Sequence, residues 1–112
     1  MINKERLITR FMEYVQIDSE SKNEKAIAEK LINDLGDMGL EIHTDDTRKM
    51  TGSSTNNIYA FLQGNENEEP LLFTAHMDTV IPGNGIIPNI DGNYIKSGEN
   101  TILGGDDKAG IT

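Results

Sequence analysis

Two short stretches carry the side chains best suited to chemistry. In His76-Met77-Asp78 an imidazole stands two residues before a carboxylate. A metal-ligating imidazole is neutral at the bound nitrogen, and its other ring N–H commonly goes to a carboxylate that sets tautomer and orientation. Asp78 has the spacing for that role; its alternative is to cap a turn. His76 is correspondingly either a metal ligand or a hydrogen-bonded structural histidine. In Gly104-Gly105-Asp106-Asp107 the glycines allow close backbone approach while a carboxylate at the turn coordinates a cation. The other reading of this acidic pair is helix capping. The chain has no cysteine, so any metal must use His, Asp or Glu.

His-x-Asp spacing alone is weak, because His43-Thr44-Asp45 repeats it. The flanks separate the two. His43 ends an alternating, half-exposed stretch and reads as a surface residue, whereas His76 ends the apolar run Leu71–Ala75 and reads as the product of a strand buried on both faces. Asp45-Asp46 and the acidic run Glu66, Glu68, Glu69 read as plain surface charge, and Lys108 as a solvated lysine.

The site residues need elements to hold them, and the pattern supplies an α/β set. Apolar residues at Leu7, Ile8, Phe11, Met12 and Val15 predict a helix from Asn3, its N-cap, to about Ile17. Ser21 and Glu24 have the form of a capping box for a second helix, with Ile27, Leu31, Leu35 and Met38 on one side and Gly39 as its stop. Leu40–Thr44 and Ile58–Leu62 predict strands, joined by a mobile polar loop over 44–57. Pro70–Asp78 is then the central strand, delivering His76 and Asp78 to the crevice at its carboxyl end. Ile86–Ile90 and Tyr94–Lys96 flank Asp91-Gly92-Asn93 as a short hairpin. Ile102–Gly110 reads as a strand-to-helix junction with an Asp near the helix start. The expected fold class is α/β, a mixed sheet flanked by helices.

Bulk properties narrow the partners. A length of 112 residues suits one domain, and hydrophobic residues at 36% with aromatics at 5% make a thin core. A formal net charge of -9, from 19 acidic against 10 basic residues, repels nucleic-acid phosphates and anionic membranes, so neither is an expected partner. The first residues lack a signal-peptide core and no stretch approaches membrane-span length, which points to a cytoplasmic protein.

Taken together, His-Met-Asp-Thr-Val at 76–80 and Ile-Leu-Gly-Gly-Asp-Asp-Lys-Ala-Gly at 102–110 resemble the paired N-terminal signatures of peptidase T-like metallopeptidases, in the carboxypeptidase G and aminoacylase superfamily. Val15–Ser21 also looks like this family's opening. The resemblance implies that residues 1–112 are the N-terminal portion of a two-zinc exopeptidase catalytic domain, truncated before its lid or dimerisation domain. His76 matches a zinc ligand, Asp78 the residue that orients it, and Asp106 the carboxylate bridging both metals, with a cis peptide between Asp106 and Asp107. The implied reaction is removal of N-terminal residues from short peptides through a metal-bound water. An N-acyl-amino-acid deacylase is the alternative within the superfamily; a non-catalytic metal-binding or interaction module, or a silent scaffold, is the alternative outside it. The family's general-base glutamate and remaining ligands have no match here, so the expectation is weak or absent zinc binding and no peptidase activity in this chain alone. A further expectation is an exposed apolar patch that promotes self-association.

Overall fold

The computed structural model describes residues 1–65 and 67–112. Helix α1 spans Lys4–Val15, and its N-cap Asn3 accepts the Arg6 N–H at 3.0 Å, as expected. Helix α2 spans Lys25–Asp37, and Gly39 beyond it takes a left-handed φ of 86°, which glycine adopts without a Cβ penalty. The two helices meet along their apolar faces. Tyr14, Ile27 and Leu31 form the buried cluster, with Ile17, Leu35, Ile58, Met77 and Ile111 packed around it. Fully burying a side chain such as Ile27 is worth about 1.5–3 kcal/mol, so this cluster anchors the chain.

A polar network laces the same helix pair. The Tyr14 hydroxyl donates to Asp34 Oδ2 at 2.9 Å, and Lys30 Nζ lies 2.8 Å from Asp34 Oδ1 and 2.9 Å from Glu13. Strands β1 (Glu41–Thr44) and β2 (Ile58–Phe61) pair antiparallel with His43 opposite Tyr59. Strands β3 (Asn89–Asp91) and β4 (Tyr94–Lys96) form the expected hairpin about Gly92-Asn93. Helix α4 closes the chain over Gly105–Ile111.

Four expectations change. The capping box does not form: α2 has Glu24 as N-cap with no side-chain cap bond, and Lys25 N–H donates instead to Ser54 Oγ at 3.0 Å, a partner from a distant loop. The 44–57 loop is tethered. It holds a short helix α3 (Arg48–Thr51), and Asp45 accepts from the Thr47 amide and hydroxyl, the Asn57 amide and side chain, and the Tyr59 hydroxyl. Asp45 is therefore a loop organiser rather than plain surface charge. Glu66, in the acidic run read as surface charge, lies outside the described residues.

The third change is the central strand. Residues 70–78 carry no regular structure, and Leu71, Leu72 and Phe73 are 83%, 88% and 86% exposed. Among the described residues no strand pairs with this run and no helix covers it, so its apolar side chains have nothing to be buried against. The fourth is Lys108, which is buried.

Candidate metal centre

His76, Asp78 and Asp106 come together although 70–76 forms no strand. The cause is the α1/α2 cluster: Met77, between His76 and Asp78, and Ile111, on α4, both pack against it. One core therefore holds the neighbours of both halves of the site. A parallel bridge between Glu20 and Thr79 fixes the chain just after Asp78.

On the other side, Gly104 sits at a left-handed φ of 79°, and a Cβ there would lie 3.4 Å from Ile86 and Thr79. Glycine thus serves both conformation and close approach. The peptide bond between Asp106 and Asp107 is cis, as the family resemblance implied. Both residues have non-helical backbone angles, and the Asp107 carboxylate accepts the Gly110 N–H at 3.1 Å. The acidic pair divides the two readings offered for it: Asp107 caps the helical turn, and Asp106 faces His76.

His76 Nε2 lies 2.8 Å from Asp106 Oδ1. His76 Nδ1 lies 2.9 Å from both Asp78 Oδ1 and the Asp78 backbone carbonyl. A carbonyl oxygen only accepts, so Nδ1 carries a proton and donates. In the neutral ring this leaves the Nε2 lone pair aimed at the Asp106 side. Asp106, through its hydrogen bond, is the main reason the His76 pKa is raised; partial burial opposes it and Asp78 adds to it. The Ser21 hydroxyl donates to Asp78 Oδ2 at 2.5 Å and is the main cause holding the Asp78 carboxyl below its ordinary value, with His76 contributing.

An imidazole nitrogen converging with a carboxylate, backed by an orienting carboxylate, is a donor set that suits zinc. Among the described residues no third His, Cys, Asp or Glu joins them. His43 lies elsewhere, exposed on β1 with Nε2 2.6 Å from Glu41, as expected for a surface histidine.

Two contributors escaped the sequence reading. Ser21 was assigned to a helix cap, and only its distance in space from Asp78 reveals its part. Lys108 was read as solvated, yet it is 1% exposed and its Nζ donates to the Ile17 carbonyl at 2.7 Å. Burial pushes its pKa down to about 8, with Asp18 opposing. A lysine two residues after a site carboxylate was the available signal.

No protein-family model matches the chain. Its structure aligns with the crystal structure of aminopeptidase PepT from Bacillus cereus at a TM-score of 0.95, with 47% identity over 98% of this chain and 30% of that one. The chain is peptidase T-like. A tripeptidase from Staphylococcus aureus aligns at a TM-score of 0.95 with 39% identity over 99% of the chain and 30% of its own length. Peptidase T of Listeria welshimeri is 26% identical over 97% of the chain and 36% of its length. The uncharacterised protein YqjE of Bacillus subtilis is 44% identical over 99% of this chain and 30% of its length. The chain thus spans about a third of the relatives it matches, and its small α/β fold corresponds to part of these peptidase T-like structures. Among the described residues no helix is long and apolar enough to cross a membrane.

Proposed function

We propose that this chain supplies part of the metal centre of a zinc-dependent cytoplasmic aminopeptidase or tripeptidase acting on short peptides. The observation that carries the reading is the convergence of His76 Nε2 and Asp106 Oδ1 at 2.8 Å, with Asp78 holding the far side of the ring. The names of the matched relatives, aminopeptidase and tripeptidase, favour peptide over acyl-amino-acid substrates.

His76 and Asp106 are the residues that would hold zinc, with Asp106 as the bridge between two ions. Zinc, when bound, supplies a Lewis acid that acidifies water and polarises a scissile carbonyl. The chain's own part is positional. Asp78 keeps the Nδ1 proton in place, so Nε2 presents its lone pair; the Gly104 turn brings the Asp106 carboxylate opposite. Two ligands hold zinc weakly, since catalytic sites usually use three protein ligands. The remaining ligands and the general base belong, in this proposal, to segments matching the rest of the relatives' length.

Zinc titration of the chain tests the reading. Weak binding abolished by His76→Ala supports it, and binding unchanged by that substitution overturns it. Tripeptide hydrolysis by the purified chain at an enzyme-like rate, lost in His76→Ala, would overturn the expectation that this chain alone is inactive.

A further inference from the structure

Five consecutive residues after α1 each grip a different part of the site's surroundings. The Ile17 carbonyl accepts from buried Lys108, two residues beyond Asp106. Asp18 Oδ1 accepts the Gly85 N–H at 2.8 Å, and Glu20 Oε1 accepts the Gly83 N–H at 2.9 Å. The Ser19 carbonyl accepts the Thr79 N–H at 2.9 Å, and Ser21 N–H donates to the Thr79 carbonyl at 3.1 Å. Ser21 Oγ then reaches Asp78.

We infer that residues 17–21 form a strap that sets the distance between the two halves of the site, with Ser21 a positioning residue that orients His76 through Asp78. One end of the strap holds the Asp106 side through Lys108. The other holds the His76 side through Ser21 and the Thr79 bridge. The run 70–76 has no strand partner among the described residues to steady it, so the strap and the Met77 contact do that work. Ser21 fixes one carboxylate oxygen of Asp78, which leaves the other aimed at His76 Nδ1. Without the hydroxyl the carboxylate rotates freely, and the ring loses its preference for the tautomer with a bare Nε2. This role rests on the metal reading only for its consequence; the tautomer preference stands without metal.

The test uses the 112-residue chain, labelled with nitrogen-15, metal-free and at a pH where His76 is neutral. Long-range imidazole spectra report which ring nitrogen is protonated, and a zinc titration follows. Wild type is expected to hold the proton on Nδ1. Ser21→Ala should raise the Nε2–H population several-fold and weaken zinc binding by about 10-fold, the lower end of the range for groups behind a ligand. Ser21→Thr should restore both, and Ser21→Val, its isostere without the hydroxyl, should not. If Ser21→Ala disturbs the amide spectrum broadly, the Thr and Val pair decides alone. An unchanged tautomer in both Ala and Val variants overturns the inference. A shifted tautomer in a chain that binds no zinc supports the strap and sinks the metal reading, so the two fail separately.

Discussion

Ile27 and Leu72 are aliphatic residues in apolar stretches of the same short chain, yet one is 0% exposed and the other 88%. Ile27 lies on α2 facing α1, where Tyr14 and Leu31 close around it. Leu72 lies in a run that no described element pairs with or covers. Apolarity states which residues gain from burial; a second surface is required before the gain is realised. The contrast extends to hydrogen bonding. Through 17–57 the polar groups find partners inside the chain, whereas over 71–75 the side chains face outward and the backbone makes no bond among the described residues.

The comparison breaks most directly by truncating both residues. Ile27→Ala should cost about 2–5 kcal/mol, the range for emptying a packed site. Leu72→Ala should change stability by less than about 0.5 kcal/mol, as at other exposed positions. Urea unfolding of both variants measures this, and equal losses would show that 70–76 is buried in solution. Leu72 and Phe73 should instead govern association. The exposed run Leu71–Phe73 is expected to make the chain self-associate with concentration, and replacing Leu72 and Phe73 by serine should reduce that association in sedimentation velocity. A monomer at all concentrations in both forms contradicts it.

The next effect in size sharpens the helical side. Tyr14 donates to Asp34 across the α1/α2 contact, and burial first, then Asp34, raises the Tyr14 pKa above its ordinary value. Tyr14→Phe keeps the ring in the cluster and removes only the hydroxyl, so the expected loss is about 1 kcal/mol. A loss as large as that of Ile27→Ala would mean that the network, rather than the apolar cluster, joins the helices.

Much of the site was legible because its residues are short-range motifs with few uses. His76, Asp78 and Asp106 stand where the paired signatures put them, and α1, α2, β1, β2 and the β3–β4 hairpin follow period and turn chemistry. What escaped was non-local. Ser21 with Glu24 satisfies a capping-box pattern, but the hydroxyl is spent on Asp78, far along the chain. Lys108 looks like any surface lysine until a carbonyl from the end of α1 receives it. Asp45 looks like one more acid on an acidic chain, yet donors from Thr47, Asn57 and Tyr59 converge on it. The apolar run 71–75 resembles a buried strand because a sequence records hydrophobicity and leaves the covering surface unstated.

Asp45 offers the finest test of the contrast, because it asks whether the 44–57 loop is held as the helices are or hangs free as 70–76 does. The Thr47 hydroxyl, opposed by some desolvation and joined by the Thr47 amide and Asn57, holds the Asp45 carboxyl far below its ordinary value. A carboxylate whose folded pKa is depressed contributes stability that is fully present above its unfolded pKa of about 3.9 and is lost as pH falls through the folded value. The loop should therefore stay tethered at pH 4 and loosen only well below it. Carbon-13 carboxyl shifts should show Asp45 titrating after the exposed acids, with the Asn57 amide losing protection in the same step. Asp45→Asn retains an acceptor oxygen but loses the charge, so it should weaken protection at Asn57 and leave α1 and α2 unaffected. An Asp45 that titrates with the other surface carboxylates would place this loop with the unpartnered run, and the line between the two regions would then fall at Thr44 instead of beyond β2.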